Sequence, residues 1–235
     1  MSRISPSDKK IIKDYVLVTG GSGGIGSEIC KELSKLGYYS IMCYSKNFED
    51  ITKLKKNKFI IPLKIKLDNN NSINKAFKSL QSIIRKDDKF ENIILCASPQ
   101  PIILPILKCN SKEFLKHFNV SVIGHHQIIS KIINFYFKRF RKGKILSILS
   151  KGINDQKKPA KYMGPYLIAK SGLKIMLQII KEENSWIKIS NIYPSFVNTK
   201  MLSSLDKDYI KVTKNNEKIL SKKEISNKII EKFLK

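Results

Sequence analysis

Tyr15-Val16-Leu17-Val18-Thr19, followed at once by Gly20-Gly21-Ser22-Gly23-Gly24-Ile25-Gly26, is the stretch on which the fold turns. The apolar run stops at glycines, and the residues after it, 25–36, place apolar side chains at helical spacing up to Gly37. The order is strand, turn, helix. Glycines in such a turn permit positive backbone angles and close approach of a pyrophosphate, while the first helical turn offers unpaired N–H groups to negative charge.

Outward from this unit the pattern repeats. Segments 39–44 and 59–67 read as strands, 72–84 as a helix and 92–97 as a strand. A long helix over 111–137 leads through Gly143 into a strand at 144–149, and a loop, a helix over 165–181 and a strand at 187–193 follow. The alternation predicts an α/β fold: a Rossmann-like, doubly wound parallel sheet of about six strands with helices on both faces. Asn69-Asn70-Asn71 is a loop before a helix, and no linker or repeat interrupts the chain, so residues 1–235 read as a single domain.

Composition narrows the class. With 42% hydrophobic residues, the 235-residue chain can bury one sizeable core. No apolar run is long enough to cross a bilayer and residues 1–10 carry no signal-peptide pattern, so a cytoplasmic protein with no membrane partner is expected. Cys30, Cys43, Cys96 and Cys109 form no Cys-x-x-Cys pair and read as buried reduced thiols. The net charge of +26 invites a nucleic-acid partner, but only Arg3, Arg85, Arg139 and Arg141 among the 45 basic residues carry the planar group suited to bases and phosphates. Lysine rises with Asn and Ile along the whole chain instead of gathering in one arm. The expectation is a solvated, compositional charge with no nucleic acid bound. His117, His125 and His126 lie on one helix without a completing Cys or carboxylate, so no metal is expected. Trp186 and the run Phe135-Tyr136-Phe137 read as core or subunit interface.

Tyr166-Leu167-Ile168-Ala169-Lys170 sets a phenol and an ammonium four residues apart, one helical turn, where they can share a pocket. An ammonium beside a phenol favours the phenolate, which predicts a Tyr166 pKa below its ordinary value of about 10. Ser150 closes the fifth strand at the carboxyl edge of the sheet, where open α/β folds bind ligands. Ser147, three residues earlier, faces the other side of the strand and cannot reach the same site. Tyr162 has Tyr166 rather than a lysine four residues on, which makes it the poorer proton donor.

The turn Thr19-Gly20-x-x-x-Gly24-Ile25-Gly26, with Ser150, Tyr166 and Lys170, resembles the short-chain dehydrogenase/reductase family nearly end to end, closest in pattern to 3-oxoacyl-carrier-protein reductases. The resemblance implies an NAD(P)-dependent oxidoreductase that interconverts a carbonyl and an alcohol. Ser150 would orient the carbonyl, Tyr166 transfer the proton, Lys170 bind the nicotinamide ribose, and Asn119 in His117-Phe118-Asn119-Val120 complete the set by holding a water. It implies cofactor contacts at Gly20, Ser22, Gly23, Gly24, Ile25, Gly26, Asp68, Ala97, Pro194, Val197 and Thr199, with a substrate lid over 201–214. The family's Asn-Asn-Ala-Gly loop reads Leu95-Cys96-Ala97-Ser98 here, Ser195 replaces a glycine after Pro194, and Lys157-Lys158-Pro159 lengthens the interval between Ser150 and Tyr166. The usual seventh strand beyond the helix at 224–234 is missing, which predicts a shortened sheet and an altered homo-oligomer, dimer or tetramer.

At the end of the second strand, Tyr44-Ser45-Lys46-Asn47 contains no carboxylate to accept from ribose hydroxyls or repel a 2′-phosphate, which favours NADP(H), with NAD(H) the alternative. The substrate is a small carbonyl or alcohol, free or carried as a thioester on an acidic carrier protein. A sugar or secondary-metabolite ketoreductase and a non-catalytic NAD(P)-binding regulator are the other readings.

Overall fold

The computed structural model describes residues 14–46, 56–85, 88–154, 160–213 and 218–235. Strands β1 (Asp14–Thr19), β2 (Tyr39–Tyr44), β3 (Ile60–Lys64), β4 (Lys89–Leu95), β5 (Gly143–Ile148) and β6 (Ile187–Ile192) form one parallel sheet in the order β3-β2-β1-β4-β5-β6. Each strand is fed by a crossover, and parallel pairing leaves neither face free of helices. Period-two alternation divides β1 between two cores. Tyr15 and Leu17 pack with α2 (Asn70–Ile83), the long helix α3 (residues 111–140) and α4 (Gly164–Glu183), whereas Val16 and Val18 pack with α1 (Gly24–Lys35) and α7 (Lys222–Leu234). The result is the three-layer, doubly wound arrangement expected, with six strands.

Three details refine the sequence reading. Helix α3 runs over 111–140 and is not uniform: α-helical Ser111–Phe118, His125–Ile132 and Lys138–Phe140 are separated by π-helical turns at Asn119–Gly124 and Ile133–Phe137. Each π turn widens the repeat to i→i+5, a feature that hydrophobic spacing does not encode. Phe135, taken as core or interface, is exposed while Tyr136 and Phe137 are buried. All four cysteines are free, but only Cys30 and Cys43 are fully buried; Cys96 and Cys109 are half-buried.

No strand pairs with the outer side of β6 among the described residues. Near that end of the sheet, Lys144 donates to the Phe233 carbonyl at 2.7 Å, and Val197 pairs with Leu220, which ties the approach to α7 onto the loop after β6. A capping box at Ser221 and Glu224 starts α7, so this C-terminal helix is an ordered layer against α1. None of the helices among the described residues is long and apolar enough to cross a membrane.

Candidate active site

A cleft of about 1370 Å³ opens along the carboxyl ends of the strands, where β1 has β2 on one side and β4 on the other. One end is the glycine turn, with Gly20, Ser22, Gly23, Gly24 and Ile25 in its wall. Gly20 sits at φ +63°, and a Cβ there would lie 2.7 Å from the Ala97 Cα. Gly26 does not line the cleft; it lies beneath the turn, where a Cβ would come within 2.2 Å of the Gly20 carbonyl oxygen. Only glycine fits either place. Helix α1 begins at Gly23 without a side-chain cap, which leaves its first N–H groups directed at whatever enters the cleft. This cradle fits a pyrophosphate.

Tyr44, Ser45 and Lys46 at the end of β2 and Asp68 after β3 extend the wall from the turn. Lys66 adds a further cation, and Lys31 a partly offset one, since its amine pairs with Glu28 at 2.8 Å. Asn47 lies outside the described residues. The loop after β4 is fixed from below: Thr19 Oγ1 accepts the backbone N–H groups of Cys96 at 3.0 Å and Ala97 at 3.2 Å. The loop therefore keeps its position through main-chain donors although its sequence lacks the side-chain amides of the resembled pattern. Pro194, Val197 and Thr199 line the same wall, with Thr199 capping the short helix α5 (Lys200–Ser203).

Ser150, Tyr166 and Lys170 converge on this cleft. Ser150 follows β5 and caps a 3-10 turn, its hydroxyl accepting from Gly152 N–H at 3.2 Å and hydrogen-bonding Tyr166. Ser147 does not line the cleft, and its buried hydroxyl donates to Asn191 Oδ1 at 2.7 Å. One turn apart on α4, the Lys170 ammonium stands 5.8 Å from the Tyr166 ring centre and donates to the Ile148 carbonyl at 2.7 Å. Tyr162 is exposed and outside the cleft wall, in contact with Tyr209.

The electrostatics correct one expectation. Burial raises the Tyr166 pKa to about 12, only partly opposed by the Ser150 hydrogen bond, instead of the ammonium lowering it. Lys170 is itself desolvated, which brings its pKa down to about 8 and leaves it mostly an ammonium at neutral pH, so burial of the phenol outweighs the nearby cation. At neutral pH the pair is a neutral phenol beside an ammonium.

Asn119 sits in the first π turn of α3. It is half-buried and does not line the cleft; on α3 it is Lys116 and Val120 that do. The adjacent face of α3 carries His117, fully buried and edge-on to the Tyr166 ring with centres 5.9 Å apart. Burial holds His117 at about pKa 4 and neutral. His117 was weighed in the sequence only as a metal ligand; its spacing of four from Ser121 and from Glu113 was the signal available. Cys96 lines the cleft as well, and burial pushes its thiol up to about 11. The described residues contain no cluster of three His, Cys, Asp or Glu that could hold a metal.

Met163, Phe196, Leu202, Leu205 and Tyr209 give the cleft an apolar stretch of wall that sequence periodicity had no means to assign. Two short helices, α5 and α6 (Lys207–Thr213), occupy the expected lid. Tyr209 OH donates to the Lys161 carbonyl at 3.0 Å, and the Gln100 amide donates to Ser204, so the lid rests on both rims. Lys157, Lys158, Pro159 and Lys214 lie outside the described residues.

Comparison with known proteins agrees with this geometry. The short chain dehydrogenase family model matches residues 14–210. The chain is 24% identical to a benzil reductase ((S)-benzoin forming) of Bacillus cereus over 81% of its length and 78% of the relative's. It is 29% identical to an NADPH-dependent 1-acyldihydroxyacetone phosphate reductase of Saccharomyces cerevisiae over 59% of its length and 45% of the relative's. Its fold superimposes on actinorhodin polyketide ketoreductase with NADPH at a TM-score of 0.79, with 17% identity and coverage of 93% of this chain and 89% of the other. A doubly wound sheet, a glycine cradle at its switch point and a family match over most of the chain lead to one statement: this protein belongs to the short chain dehydrogenase family and is an oxidoreductase of the CH–OH/C=O couple.

Proposed function

We propose that the protein is an NADP(H)-dependent carbonyl reductase with Tyr166 as its proton donor. The observation that carries this reading is the convergence of Ser150, Tyr166 and Lys170 on one wall of a cleft whose other end is the glycine cradle. The nicotinamide supplies the hydride when bound. Ser150 donates to the substrate oxygen and so polarises the carbonyl, and Tyr166 delivers the proton as negative charge develops there. The Lys170 ammonium, anchored on the Ile148 carbonyl, holds the cofactor ribose. The lid and the apolar stretch of wall exclude water around the reacting carbon.

Lys46 and the lack of a carboxylate at the end of β2 support NADP(H) over NAD(H). The yeast relative is named as NADPH-dependent, and the superimposed ketoreductase structure is described with NADPH. An acyl thioester fits the apolar stretch of wall, with Lys116 and Lys151 also lining the cleft for an acidic carrier. Exposed Leu115, Phe118, Ile168, Ile175 and Ile179 on α3 and α4 fit a homo-oligomer assembled through these two helices.

The test is NADPH oxidation with a panel of ketones and 3-oxoacyl thioesters. The wild type oxidises NADPH with at least one class, and Tyr166→Phe loses about 100-fold or more in kcat while still binding NADPH. A well-folded wild type that binds NADPH and oxidises it with none of the panel contradicts the proposal.

A further inference from the structure

Backbone pairing fixes the start of α7 beside the glycine turn. Leu220 N–H donates to the Phe196 carbonyl at 3.0 Å, and Asn198 N–H donates to the Leu220 carbonyl at 2.9 Å. Ser221 then caps α7 with Glu224, so Lys222, the first residue of the helix, is held at a set place. Its side chain lines the cleft. The Lys222 Cε lies 3.7 Å from where a Cβ on Gly24 would stand, and Thr199 Cγ2 lies 2.7 Å from the same point. Gly24 is the first residue of α1, and glycine there lets both side chains rest on the start of that helix.

Lys222 is badly placed for stability. It sets a positive charge on the positive end of the α7 dipole. The capping carboxylate does not offset it, because Glu224 Oε1 takes the Lys218 ammonium at 2.6 Å and Oε2 takes the Ser221 N–H at 2.7 Å. Glu28, on the second turn of α1, pairs with Lys31 at 2.8 Å. Lys222 has no ion pair among the described residues. Its ammonium, one bond beyond Cε, stands beside the first turn of α1, whose N–H groups have no side-chain cap. The positive ends of two helices and an unpaired ammonium thus converge on one end of the cleft. Such a grouping calls for an anion.

We propose that Lys222 binds the pyrophosphate of the dinucleotide, so that the C-terminal helix adds a cation to a cradle otherwise built of backbone N–H groups. This inference rests on the proposed reading that an NAD(P) cofactor occupies the cleft. An ammonium on a flexible stem serves phosphate as a point charge, which asks only for proximity and not for a fixed fork geometry. The pyrophosphate is common to NADPH and NADH. Lys46, at the end of β2, is instead assigned to the 2′-phosphate that only NADPH carries. The two lysines therefore leave different signatures on the two cofactors.

The dissociation constants of NADPH and NADH are measured by fluorescence titration, at low and at high salt, for wild type, Lys222→Ala, Lys222→Arg and Lys46→Ala. Lys223→Ala is the exposed control outside the cleft wall, and each protein is also melted without cofactor. Lys222→Ala is expected to weaken NADPH and NADH alike, by about five- to tenfold at low salt and by less at high salt. Lys222→Arg keeps most of the affinity, and Lys223→Ala changes it by less than about twofold. The melting temperature of cofactor-free Lys222→Ala stays within about 2 °C of the wild type or rises, since a charge adverse to the α7 dipole has gone. Unchanged affinity in Lys222→Ala overturns the proposal. So does a loss confined to NADPH, which would put Lys222 on the 2′-phosphate, or an equal loss in Lys223→Ala, which would reduce the effect to general charge. A lower melting temperature in Lys222→Ala, with a loss of affinity that Lys222→Arg shares, makes the residue a structural support and overturns it too. A wild type that binds neither cofactor overturns the dinucleotide reading itself and the proposal with it.

Discussion

Replacing His125 with leucine tests how the end of β1, the β4 loop and α3 are locked together. The imidazole accepts from the Thr19 hydroxyl at 2.9 Å and donates to the Ser121 carbonyl at 3.0 Å, both in the interior. Leucine leaves the Thr19 hydroxyl without an acceptor and takes a donor from the carbonyl, which costs roughly 2–4 kcal/mol at about 1–2 per group. For a chain of this length that corresponds to a melting temperature lower by roughly 4–15 °C. A second readout separates this bond from mere loss of packing. Burial, the largest influence, holds the His125 pKa at about 4, below the ordinary 6.5. A depressed folded value means that the unfolded chain takes up the proton first, so the stability present above pH 6.5 is lost as the pH falls toward 4. At pH 5 one such group has lost about 2 kcal/mol, and the leucine variant has no such loss. Thermal or urea unfolding at pH 7.5 and pH 5 should therefore show the wild type ahead by about 2–4 kcal/mol at the higher pH and by about 2 kcal/mol less at the lower. A gap that is absent at pH 7.5, or that stays constant or widens at pH 5, refutes the arrangement.

Gly26→Ala should abolish NADPH binding and destabilise the fold by about 2 kcal/mol or more, because the new Cβ falls 2.2 Å from the Gly20 carbonyl oxygen; cofactor fluorescence titration and a melting curve measure both. Ser147→Ala removes the 2.7 Å bond to Asn191 and should cost about 1–2 kcal/mol of stability while kcat/KM stays within about twofold; an equal loss of activity would place Ser147 in the site. Lys46→Ala should weaken NADPH binding about tenfold and leave NADH binding nearly unchanged, and an equal effect on both cofactors would remove Lys46 from 2′-phosphate recognition.

The sheet was legible because the sequence alternates strands and helices with little ambiguity, and because glycines mark the first turn, where Gly20 and Gly26 each have a steric reason to be glycine. Ser150 and Ser147 were separable in sequence as strand end and strand interior, and only Ser150 lines the cleft, while Ser147 is tied to Asn191 inside the sheet. Other features depended on tertiary context. The Tyr166 shift was misjudged because spacing on a helix reports proximity to Lys170 but not the burial of both groups, and burial is the larger effect. Asn119 was assigned from the family resemblance alone, because a polar residue in a helix carries no signal of its own; α3 turns π-helical there, and Lys116 and Val120 are its residues in the cleft wall. His117 went unassigned because a histidine on an apolar helix face looks the same in sequence whether it is core or lies behind an active-site phenol.

Transfer of the hydride itself is the most direct test of carbonyl reduction by Tyr166. Single-turnover reaction of the protein with NADPH deuterated on the transferred position, followed by mass spectrometry of the product, should give an alcohol carrying one deuterium on the former carbonyl carbon, with formation at least about 100-fold slower in Tyr166→Phe. An alcohol without deuterium, or the same rate in Tyr166→Phe as in the wild type, would contradict that chemistry.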